Sequence, residues 1–242
     1  MLKYIFILLF LTLNVNALEI CGTLEQAGFV IVDGKELIAF DRDADLSQTI
    51  NDIEINLQKK DWDIQNITGV PQKTVTPSKK DSQAIAFESN LVKEAYAKKV
   101  DKEYWREGFI APLEGRISGK YGGQRVYNGT PKNPHLGVDI ARPEGTPIIA
   151  SGSGVVALAS PEMFYNGHLI MINHGDELRT LYAHLSKLNV KEGDVVKKGD
   201  VIGFVGTTGR STGPHLHFGV NFNGIKFNPK NLYTMFENCN SY

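Results

Sequence analysis

Residues 191–203 (KEGDVVKKGDVIG) and residues 143–152 (PEGTPIIASG) share one pattern: a glycine turn, a short apolar strand and a second glycine turn. From residue 109 onwards, short apolar runs alternate with glycine-containing turns at spacings of roughly 10 residues, which is typical of an all-β sandwich or barrel. The sequence therefore predicts a mainly β protein. Residues 107–235 are predicted to form an antiparallel β-sheet domain with a duplicated barrel-sandwich-like unit, followed by a tail over residues 236–242.

Residues 18–77 are predicted to form a small β module ahead of this domain. Its strand-like pieces are residues 28–32, 36–40, 49–57 and 61–67. The first two pieces flank Asp33 and Gly34, a dipeptide that favours a tight hairpin turn. We therefore expect a hairpin at this position and two further strands after it.

Residues 78–106 differ in composition from the segments on either side. Alanine, glutamate and lysine dominate the first part, and Ser78 or Asp81 can serve as the N-cap of a helix. We expect one linker helix here, acting as a spacer or a packing strut.

The composition excludes several classes of protein. Of 242 residues, 42% are hydrophobic and 22% are charged, so the chain can bury a core. The chain carries 26 basic and 27 acidic residues, a net charge of -1, which gives no reason to expect nucleic acid as a partner.

The first 17 residues have the pattern of a secretory signal peptide. Lys3 supplies the positive charge, residues 4–13 are apolar, and Ala17 offers a small residue for cleavage. The apolar run is shorter than the roughly 20 residues that span a bilayer, and no other segment is long enough. We expect a chain secreted across the inner membrane, with a periplasmic or cell-wall location and no membrane span after cleavage. An uncleaved anchor is the alternative.

The two cysteines, Cys21 and Cys239, lie at opposite ends of the predicted mature chain. An oxidising compartment permits a disulfide between them, and domain termini often lie close together. Two unrelated thiols are an equal alternative, because sequence does not give the separation that bridging requires.

The six histidines all fall between residues 135 and 217. Three blocks stand out: residues 135–139 (HLGVD), residues 181–185 (LYAHL) and residues 213–218 (GPHLHF). In the last block, His215 and His217 are two residues apart, so on a strand their side chains project from the same face.

The residue types in these blocks suit a hydrolytic zinc site. Such a site uses three protein ligands and keeps a fourth position for water, whose pKa falls to about 7. Two imidazoles and one carboxylate meet that requirement, and a further histidine nearby can transfer protons or polarise a carbonyl.

With these blocks in place, residues 108–235 resemble the lysostaphin-type, or LytM-like, zinc endopeptidases that hydrolyse peptidoglycan. The resemblance implies that His135, Asp139 and His217 hold Zn²⁺. It also implies that His184 and His215 are the catalytic pair. No motif position is altered, which implies an active enzyme. The N-terminal region resembles, less specifically, the β module and helix that precede this domain in some family members.

Four other residues in the β domain have ordinary structural explanations. His168 and His174 lie on a predicted strand that ends in a turn, and we expect neither to contact the metal. Tyr127 and Asn128, which precede His135, are either loop residues or part of a substrate groove.

Three functions compete on this sequence. The first is cleavage of peptide cross-links or stem peptides in bacterial peptidoglycan, by endopeptidase and possible carboxypeptidase activity. The second is a catalytically silent LytM-like domain that activates another wall hydrolase, against which the intact ligand set argues. The third, a lipoyl- or biotinyl-type carrier, lacks the exposed lysine context that carriers need. For the first function, we expect residues 107–242 alone to fold and remain active, because every site residue lies there.

Overall fold

The computed structural model describes residues 19–69 and 79–238. The predicted signal peptide and Cys239 lie outside these ranges, so the proposed cleavage site and disulfide stay predictions. Among the described residues, none of the helices combines the length and apolarity needed to cross a membrane.

The N-terminal module consists of short strands, most of which pair antiparallel with one another. Its strands are β1 (Ile20–Gly22), β2 (Phe29–Val32), β3 (Glu36–Ala39), β4 (Ser47–Ile50), β5 (Ile53–Asn56) and β6 (Ile64–Ile67). Strands β1, β2 and β3 form one antiparallel sheet, and the predicted turn at Asp33 and Gly34 joins β2 to β3 with positive φ at both residues.

One strand prediction in this module is wrong. Residues 49–57 do not form a single strand, because the chain turns at Asn51 and Asp52, with φ of 46° and 64°. Asparagine and aspartate tolerate this left-handed conformation better than other non-glycine residues. The result is the two-stranded sheet of β4 and β5.

The predicted linker helix is α1 (Lys79–Ala97), and a short 3₁₀ helix (Tyr104–Glu107) follows it. Helix α1 packs on the C-terminal sheet and is attached at its end by Arg179, which donates to the Tyr96 carbonyl at 2.6 Å. Bonds of this kind satisfy carbonyls that have no partner within a helix. The helix is therefore a packing strut, one of the two roles expected from the sequence.

The C-terminal part is mainly antiparallel sheet, as the sequence predicts. Its strands are β7 (Arg116–Gly119), β8 (Gln124–Tyr127), β9 (Thr130–Pro131), β10 (Val138–Ala141), β11 (Pro147–Ile149), β12 (Gly154–Met163), β13 (Gly167–Asn173), β14 (Leu178–Leu188), β15 (Val195–Val196), β16 (Val201–Val205), β17 (His215–Phe222) and β18 (Ile225–Phe227). Ten of them form one sheet, in which β15, β12, β13, β14, β17, β10 and β7 are neighbours in that order. Helix α2 (Pro229–Asn238) follows β18.

The two similar sequence stretches meet in space. Strand β11, from the first stretch, pairs antiparallel with β16, from the second. The glycine turn of each stretch also donates a hydrogen bond to the other stretch or its strand. Gly145 N–H donates to the Val205 carbonyl, and Gly199 N–H donates to the Ala150 carbonyl. This is the duplicated unit that the sequence predicts.

The main sheet buries both faces. The large core lies on one face and includes Ile170, Tyr182 and Phe218, all with no exposed surface. A smaller cluster under helix α1 lies on the other face and includes Met171 and Ala183. The sheet face that carries this smaller cluster is called the helix face below.

The large core does not stop at the predicted boundary between module and domain. Phe29, on β2, stacks on Phe227 with ring centroids 4.5 Å apart and meets Phe222 edge-on at 6.1 Å. The C-terminal domain therefore shares part of its core with the N-terminal module, and the independent folding of residues 107–242 stays a prediction. A fragment of residues 107–242 would expose these aromatic rings.

Truncating Phe29 tests this shared core. We expect Phe29→Ala to lower the free energy of unfolding by about 3–5 kcal/mol, because a fully buried ring would leave a cavity between the two parts. Phe87→Ala is the matched control: Phe87 is 65% exposed, and its loss is expected to change the stability by less than about 0.5 kcal/mol. Urea denaturation of both variants measures the difference, and equal stabilities would contradict a shared core.

Candidate metal centre and active site

Three side chains from two neighbouring strands and one loop converge at one point on the sheet. Strands β10 and β17 pair so that Asp139 lies directly opposite His217. The His217 Nδ1 atom is 2.9 Å from Asp139 Oδ1, and the His135 Nε2 atom is 3.0 Å from each of these two atoms. Val138 and Ile140, on either side of Asp139, are core residues, so strand alternation turns the carboxylate away from the large core.

The loop before β8 fixes the orientation of His135. The His135 Nδ1 atom lies 2.9 Å from the Lys120 carbonyl oxygen. Since a carbonyl can only accept, Nδ1 carries the proton and donates this hydrogen bond. That bond leaves Nε2, the atom nearest Asp139, with its lone pair available. Histidines that bind metals are commonly oriented by such a hydrogen bond from the other ring nitrogen.

The charges of Asp139 and His217 suit metal binding, whereas burial of His135 is outweighed by its hydrogen bond and charge interaction with Asp139, which raise the pKa of His135. Burial alone would raise the pKa of Asp139, but hydrogen bonds with His135 and His217 outweigh burial and hold this pKa well below its usual range. Burial lowers the pKa of His217. The carboxylate is therefore ionised and the His217 imidazole is biased towards its neutral form, the states in which these groups bind a metal.

The spacing of the donor atoms also fits zinc. Bonds of about 2.0–2.1 Å in tetrahedral geometry place two ligand atoms about 3.3 Å apart. The three donor atoms here lie 2.9–3.0 Å from one another, so only shifts of a few tenths of an ångström separate the observed arrangement from that geometry. His135, Asp139 and His217 form the one such cluster found among the described residues.

Two glycines make room for this cluster. A Cβ atom on Gly119, which lies opposite Asp139 on β7, would be 2.2 Å from the Asp139 Oδ2 atom. A Cβ atom on Gly137 would be 2.6 Å from the His217 Nε2 atom. Neither role could be predicted from the sequence, because a glycine's neighbours across a sheet are set by strand register.

A methyl group at residue 119 is expected to disturb the site. In Gly119→Ala the Cβ overlaps the carboxylate of Asp139, so the carboxylate must move, and we expect metal affinity to fall by about tenfold or more. Gly219→Ala is the control, because its Cβ would meet neighbours only at 3.7 Å or beyond. Titration of both apo-proteins with zinc measures the effect, and equal affinities would contradict the packing described here.

The position of His184 depends on an irregularity within strand β14. Before His184, β14 pairs with β17, and after it, with β16. The register against β13 shifts here by one residue, and His184 has a φ of 65°. This is a β-bulge, a feature that re-aims a side chain. Plain alternation would have sent His184 to the same face as Tyr182, into the large core.

The bulge brings His184 beside His215, with ring centroids 4.8 Å apart. In each imidazole, Nδ1–H donates to a backbone carbonyl: that of Thr208 at 2.9 Å for His184, and that of Gly213 at 2.8 Å for His215. The Nε2 atom of each ring is therefore the basic nitrogen. Burial is the main cause that lowers the pKa of His184 to about 4, so this imidazole is neutral at pH 7.

The remaining candidates lie elsewhere. His174 is fully buried and bonds to the Ser153 carbonyl at 2.7 Å and to Thr180 Oγ1 at 2.8 Å, so its role is structural, as expected. His168, on β13, pairs with Leu185 on β14 and is outside the three-residue cluster. Tyr127 is a strand residue of β8, which pairs in parallel with Ile67 of β6 and antiparallel with Thr130 of β9. A groove role for Tyr127 or Asn128 stays a prediction.

The His–Asp–His cluster can hold a metal ion, and the two further imidazoles beside it can transfer protons, a combination that suits metal-dependent hydrolysis. Residues 133–229 match the family model described as Peptidase family M23. The C-terminal domain of this chain belongs to that family.

Two curated relatives and one solved structure show the extent of the similarity. The chain is 50% identical over 95 residues to the "DD-carboxypeptidase/endopeptidase Mpg" of Neisseria meningitidis, covering 39% of this chain and 22% of that protein. It is 45% identical over 104 residues to the "Peptidoglycan DD-endopeptidase ShyA" of Vibrio cholerae, covering 43% and 24%. The aligned region thus spans about a fifth to a quarter of each relative.

The solved structure extends the similarity to the N-terminal part. A Pseudomonas aeruginosa protein assigned to peptidase M23 superposes with a TM-score of 0.62 at 26% identity, covering 83% of this chain and 79% of that one. Coverage of this breadth exceeds the residues matched by the family model. The fold of this chain is therefore shared beyond the β domain alone.

Proposed function

We propose that this protein is a zinc-dependent peptidase that hydrolyses peptide cross-links or stem peptides of bacterial peptidoglycan. The observation that carries the proposal is the convergence of His135, Asp139 and His217 beside a second pair of imidazoles. Relatives named as a DD-carboxypeptidase/endopeptidase and a peptidoglycan DD-endopeptidase support this substrate class.

His135, Asp139 and His217 would hold the zinc ion. When bound in a site with three protein ligands, zinc acts as a Lewis acid and lowers the pKa of its water to about 7. The ionised Asp139 would partly neutralise the charge of the ion, and the Lys120 carbonyl keeps the His135 ring in place.

His184 and His215 would handle protons and orient the substrate. Each presents a basic Nε2 atom, since Nδ1 is committed to a backbone carbonyl. A neutral imidazole at this position accepts a proton and can return it to the leaving amine. Ser211 lies 3.2 Å from the His215 Nδ1 atom and helps to fix that ring.

The complete residue set supports an enzyme rather than a silent activating domain. A silent domain requires no metal ligands, and here the ligand cluster, the two imidazoles and the glycines that accommodate them are all present. We further propose a periplasmic or cell-wall location after cleavage of the signal peptide, consistent with this substrate.

Incubation of purified muropeptides with the mature protein tests the proposal. We expect mass spectrometry to detect cleaved cross-links or trimmed stem peptides, and we expect a chelator to prevent both and added zinc to restore them. Dimeric and monomeric pentapeptide muropeptides, assayed separately, distinguish endopeptidase from carboxypeptidase activity. Intact muropeptides after incubation with zinc-loaded protein would contradict an enzymatic role.

A further inference from the structure

The N-terminal module contacts residues 120–123, the segment that holds His135 in place. We propose that Arg42 and Trp62 of this module are positioning residues for His135. The inference rests on the proposed metal centre but assigns a role to a part of the chain that carries none of its ligands.

The segment of residues 120–123 holds His135 by three hydrogen bonds. The His135 side chain donates to the Lys120 carbonyl at 2.9 Å. Its backbone carbonyl accepts from Gly122 N–H at 2.8 Å, and its own N–H donates to the Gly123 carbonyl at 2.7 Å. The position of this segment therefore determines where the His135 ring lies.

The N-terminal module in turn holds the same segment. The Arg42 side chain is only 9% exposed, and its Nε–H donates to the Gly122 carbonyl at 2.8 Å. The Trp62 ring lies directly against Gly122, where a Cβ atom would be 2.1 Å from the Trp62 Cε3 atom. Trp62 also meets Tyr121 edge-on at 5.9 Å, and the Arg42 guanidinium lies 5.3 Å from the Trp62 ring centre.

Strand pairing extends this contact along the chain. Strand β6 of the module pairs in parallel with β8, which directly follows the segment. The pairing begins with Gln124 N–H donating to the Asp63 carbonyl at 2.9 Å, next to Trp62. The module thus fixes both the segment and the strand that leaves it.

Gly122 connects the two sets of contacts. Its N–H donates to the His135 carbonyl, and its own carbonyl accepts from Arg42. Loss of the Arg42 contact is therefore expected to shift Gly122 and, with it, His135. Metal affinity depends on groups that orient the ligands, and their loss typically weakens binding by 10- to 100-fold. Arg42, which is buried, and Trp62, which is half-buried, act on His135 only through this segment, so a loss at the lower end of that range is expected.

The test measures zinc affinity of the full chain. We expect Arg42→Ala and Trp62→Ala each to raise the zinc dissociation constant by about tenfold, measured by competition with a chromophoric chelator. Arg106→Ala is the matched control. Arg106 likewise donates across the two parts of the chain to a glycine carbonyl, that of Gly34 at 2.8 Å, and it has no described contact with residues 120–123.

Conservative variants separate positioning from folding. Arg42→Lys keeps a cation and a donor, and Trp62→Phe keeps an aromatic ring against Gly122, so both are expected to retain more affinity than the alanine variants. Thermal unfolding of each apo-protein identifies variants that fold, and only those enter the comparison.

The outcomes are distinct. Unchanged zinc affinity in folded Arg42 and Trp62 variants would overturn the inference, as would an equal loss in Arg106→Ala. A His135→Ala variant that binds zinc as tightly as the wild-type chain would instead contradict the proposed metal centre, whatever the Arg42 and Trp62 variants do.

Discussion

A His217→Ala variant is expected to lose both stoichiometric zinc and all measurable hydrolysis of muropeptides. His217 supplies one of three donor atoms that lie within 3.0 Å of one another, and the two that remain cannot hold the ion against water. His135→Ala and Asp139→Ala are expected to behave in the same way. Zinc content per chain, measured by mass spectrometry of the metal after desalting, gives the result directly.

His168→Ala is the control for this experiment. It removes a histidine from the neighbouring part of the same sheet, outside the three-residue cluster, and is expected to keep one zinc per chain. A His217→Ala protein that retained one zinc and full turnover would show that the ligand assignment is wrong.

The second large effect separates catalysis from metal binding. His184→Ala and His215→Ala are expected to retain zinc but to lose about 10²- to 10⁴-fold in rate, as is typical for removal of a general acid–base group. Their Nδ1 atoms are committed to the carbonyls of Thr208 and Gly213, so each ring presents Nε2 to the site rather than to the backbone. Parallel measurements of zinc content and of initial rate on one muropeptide check both parts.

His215 provides the more demanding test of the two. Its Nε2 atom lies 3.8 Å from Asp139 Oδ1, farther than either proposed imidazole ligand. Zinc loss in His215→Ala equal to that in His217→Ala would mean that the two histidines of β17 have been assigned the wrong roles.

Much of the site could be predicted because its signals are local. His215 and His217 are two residues apart on a strand, so alternation alone places them on one face. Asp139 lies between two apolar residues that enter the core, which turns its carboxylate to the other face. The duplicated glycine-turn stretches likewise predicted the antiparallel sheet in which these strands lie.

His184 was identified by its motif, but its position could not be derived from alternation. It has the same parity along β14 as Tyr182, a fully buried core residue, and reaches the helix face only because the strand bulges at φ of 65°. A bulge depends on the register of three strands against one another, which no short stretch of sequence specifies.

The sequence by itself determined the class of fold, the three blocks of site residues and the residue types that suit zinc hydrolysis, because periodicity and ligand chemistry are properties of neighbouring residues. Only the tertiary structure decided that Gly119 accommodates Asp139, that Phe29 completes the core of the C-terminal domain, and that Arg42 reaches Gly122. Each of these contacts joins residues far apart in the chain, and it exists only once strand register and packing have brought their surfaces together.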